Sequence, residues 1–286
     1  GLAFIAPALI LFLLFMAYPM VYGLLLSFTS NRNAGAALKF NGLANYIRLF
    51  TKDSYFQIAL TNNLIYALLF TPGVLIVALL VAMLLNSKIR GKTALRTICF
   101  FPYLTSMVSV ATVWNLILAP SGPLNQLLRM VGISNPPGWL LDQNWALYSV
   151  IIVAIWKNFG YSTIVYLAAL AGVDPSLLEV AEIDGAGYWR RMLHVTLPAI
   201  TPTIVLMAAL QIGNVLNAGF DQVYNMYSPI VYETGDIIDT MVYRLGLENA
   251  KYGPAAAVSI FKSVVSMLFI SVSYYVADRF FDYRLF

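Results

Sequence analysis

Charged residues concentrate in one short stretch of this sequence, EVAEIDGAGYWRRMLHVTLP at positions 179–198. Three carboxylates and two guanidinium groups lie within thirteen positions of it, although charged residues make up only 10% of the chain. These are Glu179, Glu182, Asp184, Arg190 and Arg191. Such groups form ion pairs and charge-assisted hydrogen bonds. The cluster therefore belongs either to a solvated loop or to a surface that needs a partner.

A second set of polar side chains lies inside the long apolar runs. Gln211, Asn214 and Asp221 recur at intervals of three and seven, which predicts one polar stripe near the outer half of a helix. Amide and carboxylate groups bind hydroxyls, so the stripe favours a water-filled path. Hydrogen bonding between membrane helices is the alternative interpretation.

Two lysines, Lys157 and Lys262, also lie inside apolar runs. A cation at the centre of a membrane helix costs about 2.5–3.5 kcal/mol on insertion scales, so it faces a cavity or a partner. Lys157 could bond carbonyl groups at a helix end or kink, and Lys262 could reach the nearby outer surface. Alternatively, one or both lysines meet a negatively charged substrate.

Catalytic and metal-binding patterns are missing from the sequence. GKT at 91–93 resembles the end of a phosphate-binding loop, but Asn86 stands where the leading glycine is required, and no strand is predicted before it. His194 is the only histidine and Cys99 the only cysteine, which excludes an intrachain disulfide. We predict no enzymatic activity and no cofactor or metal bound by this chain.

Composition indicates a membrane protein. Hydrophobic residues make up 60% of the chain, against roughly 45–50% in soluble domains. Crossing a bilayer takes roughly 20 apolar residues as a helix, and six runs are long enough. We predict an all-α, polytopic protein in which 1–286 form one membrane domain. The six transmembrane helices are expected at about 2–28, 58–86, 94–118, 146–171, 200–221 and 255–278.

The orientation follows from the lysine and arginine residues in the connections. One set of connections, 87–96, 172–199 and 279–286, holds eight in 46 positions, and the other set holds seven in 89. The denser set is expected on the cytoplasmic side. This bias accounts for the pI of about 9.0 without nucleic acid binding. The chain begins at Gly1 with no basic flank, so we expect a cytoplasmic segment to precede it.

Residues 174–198 read as a helix–turn–helix element on that cytoplasmic side. Asp174-Pro175 starts a helix and Gly185 marks a turn, and neither helix is long enough to be stable alone. Glu179-Val180-Ala181, then Gly185, then Val195-Thr196-Leu197-Pro198 resemble the cytoplasmic loop signature of ABC importer membrane subunits. Val180 and Val195 replace an alanine and an isoleucine of that pattern. LAALAGVDPSLLE at 167–179 and FDQVYNMYS at 220–228 resemble the carbohydrate-uptake branch, most of all permeases for polysaccharide fragments.

The resemblance implies a type I ABC importer permease fold and an assembly in the bacterial inner membrane. Its other parts would be a second, homologous permease in a heteromeric pair, two cytoplasmic ATPases that bind ATP and Mg, and an external solute-binding protein. Oligosaccharides would be the cargo, either neutral or acidic (uronate) ones. By the same resemblance 174–198 is a coupling loop that enters a cleft of the ATPase, through Glu179, Ala181, Asp184, Gly185 and Ala186. A membrane anchor subunit and a secondary transporter remain the alternatives.

Overall fold

The structure, a computed structural model, describes residues 2–30, 39–87, 90–213 and 216–281. Regular structure in these ranges is helical, apart from one β-bridge between Thr29 and Phe40. The α-helices, numbered α1 to α15 in chain order, are Leu2–Phe12, Tyr18–Ser27, Ala44–Thr51, Ser54–Asn86, Lys92–Leu104, Met107–Ile117, Pro123–Met130, Ala146–Ala171, Pro175–Ile183, Tyr188–Arg191, Leu197–Gly213, Phe220–Met226, Tyr232–Gly235, Ile238–Tyr243 and Tyr252–Phe281.

Five helical segments in the described part of the chain are long and apolar enough to cross a membrane. They are Phe4–Ser27, Ser54–Asn86, Ala146–Ala171, Tyr188–Gly213 and Tyr252–Val276. Counting the bent pair α5 and α6 as one span gives six. The predicted fold class, an all-α protein with several membrane-spanning helices, is thus confirmed, and the count reaches the predicted six when the bent pair is taken as one span.

The prediction of one continuous helix over 94–118 is wrong. Helices α5 and α6 meet at Thr105 and Ser106 and are bent by 100° relative to each other. Pro102 lies in the last turn of α5, where it has no N–H to donate, and Thr105 then adopts an extended conformation. Residues 97–118 carry no charge, so hydropathy alone could not distinguish a broken span from a straight one.

The fifth predicted helix, 200–221, is also wrong in its bounds. Helix α11 ends at Gly213, and α12 begins at Phe220 after Gly219, whose φ of +70° favours glycine. At its other end the span begins earlier than predicted. Tyr188–Arg191 continues through a π-helical turn at Met192–Thr196 directly into α11. The segment predicted as a coupling loop is therefore continuous with a membrane helix.

Helix α4 is the central element of the bundle, because it contributes to each of three buried clusters. Phe56 packs with α14 and α15, Tyr66 packs with α6, α8 and α12, and Ala78 packs with α8 and α11. Its buried face is rich in small residues, which allow close helix approach where lipid supplies little hydrophobic driving force. These are Ala59, Ala67, Ala78 and Ala82.

Helices α8 and α5 are in close contact. Gly160 of α8 lies against α5 so closely that a Cβ atom there would be 2.2 Å from the Cys99 carbonyl oxygen.

The first span, in contrast, has few buried residues. No residue in the most apolar window of Phe4–Ser27 is buried, and its second helix, α2, contacts α15. The first span presents its surface to lipid or to another subunit.

Candidate functional site

We call the end of the bundle at residues 174–198 the inner end and the end at 222–254 the outer end. At the inner end, helix α9 is capped at both termini by its own residues. The Asp174 carboxylate accepts the Ser176 N–H at 2.9 Å, and hydrogen bonds from Ser176 lower the pKa of Asp174 below its ordinary value. The helix therefore begins without help from a partner.

The C-terminus of α9 forms a Schellman turn. The Ala186 N–H donates to the Ala181 carbonyl at 2.9 Å, and the Gly185 N–H donates to the Glu182 carbonyl at 3.0 Å. Gly185 has a φ of +76°, which L side chains rarely adopt. Arg191 forms an ion pair with Glu182 and so ties α10 to α9. The turn is preformed in the isolated chain.

The predicted coupling residues lie on α9 and on this turn, and all of them reach the surface. Glu179, Asp184 and Gly185 are exposed, whereas Ala181 and Ala186 are half-buried. A Cβ atom on Gly185 would meet nothing within 4 Å, so the chain itself leaves the space above the turn open. Apolar side chains surround the carboxylates and are also exposed, notably Ile183 at 86% and Trp189 at 68%. The element thus presents a mixed acidic and apolar surface.

A cavity of about 230 Å³ lies behind the turn. Leu178 of α9 and Tyr188, Arg191 and Met192 form one side of it, and Met83 of α4 and Leu170 of α8 form the other. Met192 is buried, whereas the neighbouring Trp189 and Leu193 are exposed. The cavity thus separates the turn from the inner ends of α4 and α8.

Lys157 of α8 lies beside the break between α5 and α6. Its Nζ donates to the carbonyl oxygens of Tyr103 at 3.2 Å and Pro102 at 3.4 Å. These carbonyls belong to the last turn of α5, whose acceptors have no partner within the helix. The ammonium also lies 5.7 Å from the centre of the Tyr103 ring. This arrangement matches the interpretation in which Lys157 bonds helix-end carbonyls, and its charge meets no carboxylate among the described residues.

Lys262 of α15 has a carboxylate partner. It forms an ion pair with Asp239, the second residue of α14, and both side chains are largely buried. The sequence did not suggest this pair, because Asp239 lies in a predicted external loop rather than in an apolar run. The charge of Lys262 is therefore compensated within the chain.

The predicted polar stripe of Gln211, Asn214 and Asp221 is not continuous. Gln211 lies in the last turn of α11 and is half-buried, whereas Asp221 is exposed in the first turn of α12. Asn214 lies outside the described residues. The break between α11 and α12 separates these residues, so they cannot form one helical face.

Comparison with known proteins identifies the family. Residues 62–282 match the family model of the binding-protein-dependent transport system inner membrane component. The chain belongs to this family. It is thus a multi-pass inner-membrane permease, and the resemblance to ABC importer membrane subunits is confirmed.

The permease is similar to curated transport proteins over most of its length. It is 35% identical over 285 residues to the polygalacturonan/rhamnogalacturonan transport system permease protein of Bacillus subtilis (strain 168), with 96% of this chain and 87% of the relative covered. It is 37% identical over 227 residues to the lactose transport system permease protein of Rhizobium radiobacter, with 79% of this chain and 75% of the relative covered.

Solved structures support the same fold. The permease superposes with a TM-score of 0.84 and 33% identity on a chain of a bacterial ABC transporter involved in the import of the acidic polysaccharide alginate, with 97% of this chain and 94% of that chain covered. A second structure is that of a bacterial alginate ABC transporter in complex with an alginate pentasaccharide-bound periplasmic protein. Its TM-score is 0.84 and its sequence identity 32%, with 97% of this chain and 93% of that chain covered.

At the outer end, the permease contains a buried ion pair that the sequence did not reveal. Arg244 pairs with Asp236, and its guanidinium lies 4.3 Å from the centre of the Tyr232 ring. The Thr240 hydroxyl donates to Asp236 at 2.7 Å, and the Asn62 side chain of α4 donates to the Asp236 carbonyl at 3.0 Å. The network fixes the segment 232–244 to the central helix.

Aromatic residues of the outer end pack on one another. The ring of Tyr224 lies 5.3 Å from that of Phe220 and 4.9 Å from that of Tyr243, and the Tyr227 and Tyr232 rings are 4.9 Å apart. Tyr224 keeps 38% of its surface exposed, next to the exposed Asp221. Exposed ring faces beside a carboxylate are suited to contacts with a polyhydroxylated solute.

Proposed function

We propose that this permease carries oligosaccharides, including acidic ones, into the cytoplasm, driven by ATP hydrolysis on separate ATPase subunits. The observation that carries this proposal is the preformed turn at the inner end, which leaves its acidic and apolar side chains exposed. An element too short to be stable alone is built with its own caps and continues directly into a membrane helix. A capped element that continues into a membrane helix can transmit the movement of a bound partner to that helix.

Residues 174–198 act in this proposal as the coupling loop and face the cytoplasm. Glu179 and Asp184 pair with basic residues of the ATPase cleft. The small residues Ala181, Gly185 and Ala186 allow the ATPase to approach the backbone of the coupling loop closely. No side chain of this permease occupies the space above Gly185. ATP and Mg are bound by the ATPase subunits, whose movement reaches the membrane through the continuous helical segment Tyr188–Gly213.

Two further partners belong to the proposed assembly. A second, homologous permease completes the membrane part as a heteromeric pair, and the exposed face of Phe4–Ser27 is available to it. An external solute-binding protein delivers the cargo to the outer end. This partner is suggested by the similar alginate transporter, which has been solved with a pentasaccharide-bound periplasmic protein. Residues 1–286 form one membrane domain.

The substrate class rests on the relatives and on Lys157. The similar proteins described above are named for saccharide cargoes, among them the acidic polysaccharide alginate and lactose. Lys157 keeps a charge without a carboxylate partner among the described residues, so it can attract an acidic sugar unit beside the break of α5 and α6. Gln211, Asn214 and Asp221 supply hydroxyl-binding groups, whereas Lys262 acts through its ion pair with Asp239.

Uptake into proteoliposomes tests the proposal. The complete complex would be reconstituted with ATP inside and loaded binding protein outside, and labelled trigalacturonate and galactotriose would be compared. We expect accumulation of trigalacturonate that requires ATP, and a non-hydrolysable ATP analogue as the control should stop it. Accumulation that persists with the analogue would contradict ATP-driven transport, and accumulation of galactotriose alone would contradict the acidic cargo.

A further inference from the structure

A cavity of about 460 Å³ opens at the outer end. Its lining is separate from the break between α5 and α6, beside which Lys157 lies. One wall comes from α3 and the start of α4, and the other comes from α14 and the chain that follows it. We call this cavity the outer basic pocket. Its volume is within the range of about 300–1,000 Å³ that is usual for small-molecule sites. The groups that matter in its lining are Arg48, Lys52, Tyr55, Asn249 and Lys251.

The pocket carries positive charge that the described residues do not compensate. Arg48, Lys52 and Lys251 are exposed and form no ion pair with a carboxylate in the described ranges. Asp53 is the one carboxylate among the lining residues, and it accepts the Phe56 N–H at 3.1 Å as the N-cap of α4. Arg244 also lines the pocket, but Asp236 neutralises it.

Both walls of the pocket are anchored. The buried Asn45 side chain donates to the carbonyls of Ser27 and Thr29, each at 2.8 Å, and so fixes α3 to the end of the first span. On the other wall, the Lys251 N–H donates to the Leu245 carbonyl at 2.8 Å. Ala250, between Asn249 and Lys251, has a φ of +53° and is the one non-glycine residue with positive φ in the described part of the chain. The backbone accepts an unfavourable conformation at the point that presents Lys251.

We propose that the outer basic pocket binds a carboxylate-bearing sugar unit of an acidic oligosaccharide before the oligosaccharide enters the membrane path. Guanidinium and ammonium groups recognise carboxylates by charge-assisted hydrogen bonds. The exposed Tyr55 ring and the Asn249 amide complement the apolar faces and hydroxyls of a sugar. A concave site of this volume suits a small ligand better than the flat contact of a protein partner. This assignment rests on the proposed function for its substrate class.

Binding without transport tests the pocket separately from the proposed function. The complete complex would be placed in phosphatidylcholine nanodiscs without the binding protein, and binding of labelled trigalacturonate would be measured by equilibrium dialysis. Galactotriose serves as the neutral probe. The test variant is Lys52→Gln/Lys251→Gln, two exposed side chains whose loss leaves the fold intact. The matched control is Arg129→Gln, an exposed cation of α7 outside the pocket.

We expect saturable trigalacturonate binding that weakens at least tenfold in the double variant and is unchanged in Arg129→Gln, with no saturable galactotriose binding. Equal weakening in both variants would reveal only non-specific attraction and overturn the assignment. Unchanged trigalacturonate binding in the double variant would also overturn it. If the parent complex bound trigalacturonate in the pocket but transported only neutral sugars, the proposed function would fail and the pocket would stand.

Discussion

Replacing Lys157 by methionine separates its structural role from a role in transport. Its hydrogen bond to the Tyr103 carbonyl is 3.2 Å long, and a bond from a charged donor contributes about 1.5–3 kcal/mol. The bond to Pro102, at 3.4 Å, is longer than the usual N–H···O range and adds little. Removing the ammonium also removes its cost of roughly 2.5–3.5 kcal/mol inside the membrane. The opposing terms are similar, so the free energy of unfolding should change by no more than about 1 kcal/mol.

The effect on acidic cargo should be larger than the effect on stability. One charge pair at 4 Å contributes about 1 kcal/mol in water, so its loss in a water-filled path predicts about a fivefold weaker uptake of acidic sugar. The assay is competition uptake between trigalacturonate and galactotriose in the reconstituted complex, with Lys157→Arg as the matched control that keeps the charge. Basal ATP hydrolysis reports intact assembly. Equal loss for both sugars, or no loss, would return Lys157 to a purely structural role.

Three further predictions follow from contacts in the bundle. Lys262→Met should destabilise the permease by about 1–3 kcal/mol, because it leaves the largely buried Asp239 carboxylate unpaired, and Asp239→Asn added to it should recover part of the loss in thermal unfolding; a double variant no more stable than the single one would refute the pairing. Gly160→Ala should lower the yield of folded protein in size-exclusion chromatography, since its Cβ would meet the Cys99 carbonyl, whereas Gly23→Ala, with open space around it, should not; equal yields would count against this helix contact. In a Cys99→Ala background, cysteines at the exposed Ser30 and Ser121 should react with an impermeant thiol reagent from outside and one at Lys92 should not; the reverse labelling would invert the proposed orientation.

The sequence predicted the spans well where an apolar run coincides with an uninterrupted helix. The expected helices at 58–86, 146–171 and 255–278 correspond to Ser54–Asn86, Ala146–Ala171 and Tyr252–Phe281. The two wrong bounds have one cause, because hydropathy measures the transfer of side chains and does not detect a break in the backbone. Pro102 is a local signal for a kink, but neither the 100° angle of the bend nor the contact of Lys157 with the Tyr103 carbonyl can be read from local sequence. Gly213 and Gly219 were the available signals for the break after α11.

The candidate site was predictable to the extent that its residues are adjacent in the chain. The turn at 184–186 follows from an Asp-Gly signal and a preceding N-cap, both of which are local, and the structure forms it at those residues. The partners of Lys262 and Arg244 were not predictable, because Asp239 and Asp236 lie in a loop segment that folds back onto the membrane helices. Charge counts along a sequence do not reveal which loop carboxylates return to a span.

The coupling role of the turn is the central claim, and one substitution at Gly185 tests it directly. Asparagine tolerates positive φ, so Gly185→Asn should keep the Schellman turn while placing a side chain in the open space above it. The matched control is Gly132→Asn, which has a φ of +95° and open space at a connection that is not in the coupling loop. The measurement is ATP hydrolysis by the assembled complex with and without substrate-loaded binding protein. We predict that Gly185→Asn abolishes the stimulation while the control retains it. Normal stimulation in Gly185→Asn would contradict docking of the ATPase at this turn.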